Sequence, residues 1–145
     1  MACWLLKTDP GAYSWEDLER DGRRAWTGLA SSQAQASLRA MRPGDRVIVY
    51  DSGARCAMGV AEVLGAAYPD PGTAGLLCID LKALEPLPAP VPLDALKEEP
   101  AFEGSVLLTQ GRSKIVPLSP AEWREIQALA DVIARTGGLR PEERF

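Results

Sequence analysis

The sequence contains no histidine, and this absence excludes several kinds of active site. Histidine is the usual general base near neutral pH and the commonest metal ligand in proteins. Without it the chain cannot assemble a Ser-His or Cys-His nucleophile, so the familiar hydrolase triads are ruled out. Any chemistry of this protein must come from carboxylates, hydroxyls, amines or aromatic rings.

Cysteines and long apolar runs are also scarce, and both shortages indicate the same compartment. The three cysteines are an odd number, widely spaced and without a C-x-x-C pair, which predicts free thiols rather than disulfides or a zinc site. No apolar run approaches the roughly 20 residues of a membrane span. The apolar N-terminal residues meet Lys7 and Asp9 too early for a secretory signal. We interpret the chain as a cytoplasmic protein with no membrane partner, no metal and no cofactor.

Positive charge is in short supply, which limits how the protein could hold a nucleic acid. The net charge is -4, because residues 1–60 carry eight Lys or Arg against seven Asp or Glu, and residues 61–145 carry eight against thirteen. A protein that grips nucleic acid through many phosphates is far more basic. If nucleic acid is the partner, a pocket must supply much of the affinity.

The chain has the size and composition of one globular domain, with 145 residues of which 46% are hydrophobic. The sequence shows no internal repeat and no second-domain boundary. Gly137 and Gly138 are typical of a helix end, and charged residues follow them. We therefore predict a single domain at residues 1–138 and a charged tail at residues 139–145.

Local patterns predict short strands and small helices. Ser14 with Asp17, and Ser119 with Glu122, have the spacing of helix-capping boxes. The predicted strands lie at residues 2–7, 46–50, 56–64 and 76–84, followed by a hairpin of residues 105–109 and 114–118. Residues 25–28 are predicted to turn, and the proline-rich residues 85–100 to be extended with a short helix at 93–97. Together these elements predict an α+β fold on a partly closed barrel, with short peripheral helices and a C-terminal helix.

Residues 26–53 contain two chain reversals that bring aromatic and polar groups close together. A tryptophan in a turn, such as Trp26, is a candidate platform for a nucleobase, and stacking on one ring is worth about 1–3 kcal/mol. The candidates for hydrogen bonds to the base edge are Thr8, Asp9, Asp51 and Ser52. The alternative is that Trp26 only packs and that the carboxylates bond their own turns.

Several motifs, in order along nearly the whole chain, resemble the EVE domain family. They are W-L-L-K-T-D-P (residues 4–10), Y-S-W-E-D-L (13–18), W-T-G (26–28), Q-A-x-x-x-L-R-A-M-x-P-G-D (33–45), V-Y-D-S-G (49–53) and A-x-Y-P-D (66–70). The resemblance implies a PUA-like mixed-strand pseudobarrel. It also implies a non-enzymatic module that recognises a modified base, such as a modified cytosine, in DNA or RNA.

The resemblance and the two reversals together predict one base-binding site. Its predicted residues are Lys7, Thr8, Asp9, Pro10, Trp26, Thr27, Gly28, Ser31, Tyr50, Asp51 and Ser52, with Arg112 at the rim. The chain departs from the usual family pattern at residues 29–31, where Leu-Ala-Ser replaces Val-Arg-Asn, at Asp51, which replaces a histidine, and at residues 113–114, where Ser-Lys replaces Leu-Ser. The first two departures remove an arginine and a histidine from the expected ligand mouth and add a carboxylate.

Three alternatives stay open at this stage. The same fold could bind RNA or tRNA without reading a modification. The acidic C-terminal part favours a small-molecule sensor or a protein-interaction module. A metal-dependent nuclease could use Asp9, Asp51 and Asp70 as oxygen ligands, although no acidic motif has the spacing of a dedicated metal site.

Overall fold

The computed structural model describes residues 1–137, so the predicted tail at residues 139–145 lies outside the described residues. The strands are β1 (Cys3–Thr8), β2 (Arg23–Trp26), β3 (Arg46–Asp51), β4 (Cys56–Val63), β5 (Tyr68–Pro69), β6 (Leu77–Pro92) and β7 (Ile115–Leu118). The helices are α1 (Trp15–Asp21), α2 (Ser32–Ala40), α3 (Leu93–Lys97), α4 (Val106–Thr109) and α5 (Pro120–Thr136), with a 3₁₀ turn at Pro100–Phe102. Within residues 1–137, no helix combines the length and the apolar character needed to cross a membrane.

The strands form one mixed sheet in the order β2-β6-β4-β3-β1-β7, and the short β5 pairs with β6. β1 runs parallel to β3 and antiparallel to β7. The parallel pairing brings the C-terminal ends of β1 and β3 to the same edge of the sheet, with Thr8 opposite Asp51. Polar residues that follow these two strands are therefore held close together.

Both faces of the sheet are buried. Along β3, Val47 and Val49 belong to a core that includes residues of α1 and α2, whereas Ile48 and Tyr50 belong to a second core that includes residues of α3, α4 and α5. A strand covered on both faces reads as a continuous apolar run rather than an alternating one. The V-I-V-Y sequence of β3 has this form, and the strand predicted there is confirmed.

Both predicted capping boxes are confirmed. The Ser14 hydroxyl accepts a hydrogen bond from the Asp17 N–H (3.0 Å), and the Asp17 carboxylate accepts one from the Ser14 N–H (2.9 Å). At the start of α5 the same exchange joins Ser119 and Glu122, at 3.1 and 2.8 Å. Each box pairs two backbone N–H groups with side-chain oxygens within four residues, which explains why the sequence alone predicts it.

The predicted hairpin of residues 105–109 and 114–118 is wrong in its first half. Ser105 caps a helical turn instead: its hydroxyl accepts from the Leu107 N–H (3.2 Å), and its carbonyl accepts from the N–H groups of Leu108 and Thr109. A short apolar run fits a strand or a buried helix equally well by periodicity. At this position the Ser105 cap favours the helical turn over a strand.

The prediction also missed two strands, β2 and the short β5, and made β6 too short. Residues 25–28 were predicted to turn, but Arg23–Trp26 form β2 and pair with β6, so that Trp26 lies opposite Ile79. β6 continues through the proline-rich segment to Pro92. β2 pairs only with residues 79–82 of β6, which leaves one edge of β6 open beyond them. Proline lacks an N–H group, and such an open edge tolerates it.

Candidate functional site

A cavity of about 340 Å³ lies beside the ends of β1 and β2. Its volume falls in the range of roughly 300–1,000 Å³ that small-molecule sites occupy. It is lined by Lys7, Thr8, Asp9, Ala12, Tyr13, Arg24, Ala25, Trp26, Thr27, Gly28, Leu29 and Lys114. The lining comes from segments that are widely separated in sequence, and the pairing of the strands brings them together.

The floor of the cavity is aromatic and apolar. Tyr13, Trp26 and Leu29 are buried, and the rings of Tyr13 and Trp26 meet edge to face, with centroids 5.5 Å apart and an interplanar angle of 83°. This is a favourable arrangement for two aromatic rings. The floor therefore has a fixed shape before any ligand enters.

Tyr13 is held from two sides. Its hydroxyl donates to Asp21 Oδ2 (2.7 Å), and the guanidinium carbon of Arg24 lies 3.8 Å from the centroid of its ring. Burial raises the pKa of Tyr13 above its ordinary value, and the hydrogen bond to Asp21 adds to the effect. Arg24, an exposed residue, is held at the cavity by this cation–π contact.

One wall is formed by the end of β1. The Thr8 hydroxyl donates to the Tyr50 carbonyl (3.3 Å), and the Ser52 N–H donates to the Thr8 carbonyl (2.9 Å). Asp9 Oδ1 accepts from the Gly11 N–H (2.9 Å) and so closes the following turn. These contacts fix the wall through backbone groups of the neighbouring strand.

The opposite wall is the loop that follows β2. Gly28 has a φ of +74°, a conformation that favours glycine, and its N–H donates to the buried Asp70 carboxylate (3.4 Å). The buried Gln35 side chain donates to the Leu29 carbonyl (2.7 Å) and the Leu77 carbonyl (3.2 Å), and accepts from the Leu77 N–H (2.8 Å). Two buried side chains therefore tie this loop to the rest of the domain.

Replacing Gln35 with methionine, which has a similar shape but no hydrogen-bonding amide, is expected to destabilise the protein by about 2 kcal/mol. The Leu29 carbonyl would lose its partner in a buried site, where an unpaired group costs about 1–3 kcal/mol, and the two half-buried Leu77 groups would lose theirs. Chemical denaturation measures the loss. Gln33→Met is the matched control, because the exposed Gln33 side chain makes a single bond, to the Ile115 carbonyl. Equal effects of the two variants would contradict the role given to Gln35.

Six of the twelve predicted site residues line the cavity: Lys7, Thr8, Asp9, Trp26, Thr27 and Gly28. The other six, Pro10, Ser31, Tyr50, Asp51, Ser52 and Arg112, are not among its lining residues. Ser31 caps α2 by accepting from the Ala34 N–H (3.1 Å), and Arg112 is exposed in the loop before β7. Pro10 is an exposed turn residue.

Tyr50, Asp51 and Ser52 do not line the cavity, although the sequence predicted all three as site residues. Tyr50 is buried in the core beneath α5, because side chains alternate between the faces of a strand. Asp51 Oδ1 accepts from the Gly53 and Ala54 N–H groups (2.8 and 2.9 Å), so it closes its own turn. This segment contacts the cavity wall through the Tyr50 carbonyl and the Ser52 N–H, which both bond Thr8.

Sequence reasoning missed six lining residues: Ala12, Tyr13, Arg24, Ala25, Leu29 and Lys114. Tyr13 opens the Y-S-W-E-D-L motif, so the motif contained a usable signal. Nothing local connects Lys114 with the other residues, since it reaches the site only through strand pairing. Among residues 1–137, no group of three or more cysteine or acidic side chains is arranged to hold a metal ion.

Comparisons with known proteins place the chain in a family. The EVE domain family model matches residues 2–129. A structure from Rhodopseudomonas palustris is 35% identical, with a TM-score of 0.86, and the match covers 92% of this chain and 95% of that one. A comparison with curated protein sequences gave no significant match.

Two further structures share the fold at lower identity. Human thymocyte nuclear protein 1, in complex with DNA containing 5-methylcytosine, is 24% identical with a TM-score of 0.79, covering 90% of this chain and 98% of that one. The YTH domain of the Zygosaccharomyces rouxii MRB1 protein, in complex with N6-methyladenosine RNA, is 12% identical with a TM-score of 0.57, covering 89% and 86%. The predicted α+β, PUA-like pseudobarrel is thereby confirmed. On the motifs, the family match and the structural likeness together, the chain belongs to the EVE domain family.

Proposed function

We propose that this protein is a nucleic-acid-binding module that recognises a modified base in the cavity between β1 and β2. The observation that carries the proposal is the composition of this one cavity. It combines an aromatic floor of Tyr13 and Trp26 with cationic side chains at its rim. A base can stack on or pack against the floor while the rim attracts the phosphates that accompany it.

The energetic balance suits a base that is already easy to expose. Extruding a base from a duplex costs a few kcal/mol, and contact with one aromatic ring returns about 1–3 kcal/mol. Hydrogen bonds to the base edge must supply the rest. Asp9 and Thr27 line the cavity, and their carboxylate and hydroxyl groups can supply them.

The relatives support the same class of ligand. Human thymocyte nuclear protein 1 was crystallised with DNA containing 5-methylcytosine, and the MRB1 YTH domain with RNA containing N6-methyladenosine. Both ligands carry a methylated base, although one is DNA and the other RNA. We infer that the present chain also binds nucleic acid, and we leave DNA and RNA as two arms of the test.

We further infer binding rather than catalysis. The sequence has no histidine, and two polar groups of the cavity already have local partners: the Thr8 hydroxyl donates to the Tyr50 carbonyl, and Asp9 Oδ1 accepts from the Gly11 N–H. A metal-dependent nuclease is the competing function. Incubation with labelled DNA and RNA in the presence of Mg²⁺ or Mn²⁺ tests it, and sustained cleavage that Asp9→Asn abolishes would replace the binding proposal.

The role of Trp26 is tested by two variants of different character. Trp26→Leu is expected to weaken binding of a modified oligonucleotide by about 5-fold to about 150-fold, because it removes a contact worth about 1–3 kcal/mol. Trp26→Phe keeps an aromatic ring and should retain much of the affinity. Fluorescence anisotropy measures both, using single-stranded and duplex DNA and RNA that contain methylated or unmodified cytosine and adenine. Circular dichroism confirms that each variant is folded.

Ala12 and Trp123 provide the matched controls. Ala12 is exposed and lines the cavity, so Ala12→Trp should fill it and abolish discrimination without disturbing the core. Trp123 packs at the edge of the second core, on α5 outside the lining, so Trp123→Leu should leave affinity unchanged. If the wild type and Ala12→Trp bind every oligonucleotide equally, the cavity does not read a base.

A further inference from the structure

Two lysines stand opposite each other at one wall of the cavity. β1 and β7 pair antiparallel with Leu6 opposite Ile115, and one further step places Lys7 opposite Lys114. The Lys7 N–H donates to the Lys114 carbonyl at 2.8 Å, so the pairing continues to this point. Directly opposite residues project from the same face of a sheet, with Cβ atoms roughly 4.5–5.5 Å apart. Both residues line the cavity.

This arrangement is electrostatically unfavourable in the free protein. Like charges directly opposite each other destabilise a strand pair. Among residues 1–137, no carboxylate lies within the 4.0 Å of an ion pair from either ammonium group. Lys7 Nζ donates to the Gly111 carbonyl (2.8 Å), which is a neutral partner. Burial lowers the pKa of Lys7 below its ordinary value, and the charge of Lys114 lowers it further.

The position of the pair relative to the aromatic floor suggests what would relieve this repulsion. Lys7 belongs to β1, and Lys114 immediately precedes β7. Arg24 and Trp26 belong to β2, and all four residues line the same cavity. The only carboxylate in the lining is Asp9, which is occupied in part by the Gly11 N–H. A ligand that enters this cavity therefore meets residues with aromatic rings and two lysines that have no carboxylate within ion-pair distance among residues 1–137.

We propose that Lys7 and Lys114 form an anion-binding subsite that holds an anionic group of the same nucleotide whose base occupies the cavity. This inference rests on the proposed function and adds to it the class of ligand: a nucleotide with an intact negative charge, not a free base or a nucleoside. Ammonium groups bind phosphate as point charges, and two of them on one wall fix the position of the anion and hence the register of the base. The anion is a backbone phosphate beside the base or an acidic group on the base itself.

Lys114→Gln and Lys7→Gln test the subsite. Each variant is expected to lower the affinity for a modified oligonucleotide by roughly tenfold at low salt, and to reduce the slope of log K against log salt concentration by about 0.7–0.9. The thermal midpoint of Lys114→Gln should equal or exceed that of the wild type, since the repulsion is relieved. Lys97→Gln is the control, because Lys97 is exposed on α3, pairs with Asp94 and lies outside the cavity.

Two altered ligands identify the source of the anion. In one, the linkage next to the modified base is an uncharged methylphosphonate; in the other, the base carries a carboxyl group. If the lysines hold a backbone phosphate, Lys114→Gln should have little further effect on the methylphosphonate ligand. If they hold an acid on the base, the carboxylated ligand should bind most tightly to the wild type and lose that advantage in the variant.

The outcomes separate this inference from the function on which it rests. If the wild type discriminates modified from unmodified bases, but Lys7→Gln and Lys114→Gln bind the oligonucleotide as tightly as Lys97→Gln does, the subsite is overturned and the proposed function stands. A wild type that binds no oligonucleotide overturns both. A third outcome also contradicts the subsite. In it, the lysine variants lose affinity equally for the charged and the methylphosphonate ligands and lose none for the carboxylated base.

Discussion

Gly59→Ala is expected to lower the free energy of unfolding by about 3 kcal/mol, which is a large fraction of the roughly 5–15 kcal/mol of a typical domain. Gly59 lies on β4 directly beneath the ring of Trp15. A Cβ atom at this position would lie 2.2, 2.3 and 2.5 Å from the Cζ2, Cε2 and Cη2 atoms of that ring. Trp15 is 3% exposed and belongs to the core beneath α1, so the ring has no free space into which it can move.

Chemical and thermal denaturation measure this effect, and a fall of roughly 10 °C in the melting temperature corresponds to it. Gly65→Ala is the matched control, because no atom lies within 4 Å of a Cβ built there. A double variant tests the cause: Trp15→Leu makes room, so Gly59→Ala should cost much less in that background than in the wild type. Equal costs in the two backgrounds would show that the Trp15 contact is not responsible.

Asp45→Ala is expected to destabilise the protein by a similar amount, about 3 kcal/mol. The buried Asp45 carboxylate accepts from the Ala2 N–H (3.0 Å), the Trp4 indole N–H (3.1 Å) and the Arg42 N–H (3.0 Å). A hydrogen bond to a charged acceptor contributes about 1.5–3 kcal/mol, and the Trp4 indole N–H would be left unpaired in a buried site. Urea denaturation at neutral pH measures the change. Asp94→Ala is the control, since Asp94 is exposed on α3.

The same carboxylate should make stability depend on pH in the acid range. Burial acts to raise the pKa of Asp45, but the hydrogen bonds from Arg42, Trp4 and Ala2 outweigh it and hold the pKa below its ordinary value. A depressed folded-state pKa contributes stability that is fully present above the unfolded value of about 3.9 and is lost as the pH falls through the folded value. The difference in unfolding free energy between the wild type and Asp45→Asn should therefore be constant above about pH 5 and shrink below about pH 4. A difference that grows on acidification would contradict this assignment.

Asp45 also shows how far local sequence reasoning reaches. An aspartate in a turn such as P-G-D commonly accepts from a nearby backbone N–H, and Asp45 does so from Arg42. The contacts to Ala2 and Trp4 join residues more than 40 positions away and depend on the pairing of β1 with β3. The sequence identified the turn, but the energetically larger role arises from the tertiary structure.

The candidate site divides along the same line. Lys7 to Asp9 and Trp26 to Gly28 were predicted because each belongs to a contiguous motif, and the structure places all six in one cavity. Tyr50 was predicted with them but turns into the core, because its face depends on which side of the sheet each helix covers. Residues 105–109 were assigned to a strand because three consecutive apolar residues do not reveal their period.

By itself, the sequence determined the features that are settled within a few residues: the capping boxes at Ser14 and Ser119, the doubly buried strand β3, and the motifs that mark the EVE domain family. Only the tertiary structure decided that Gly59 lies under Trp15, that Gln35 and Asp70 hold the loop around Gly28, and that Lys114 stands opposite Lys7. The physical reason is that a cap or a turn closes its hydrogen bonds within one turn of chain, whereas cross-strand register is set by packing between segments that are distant in sequence.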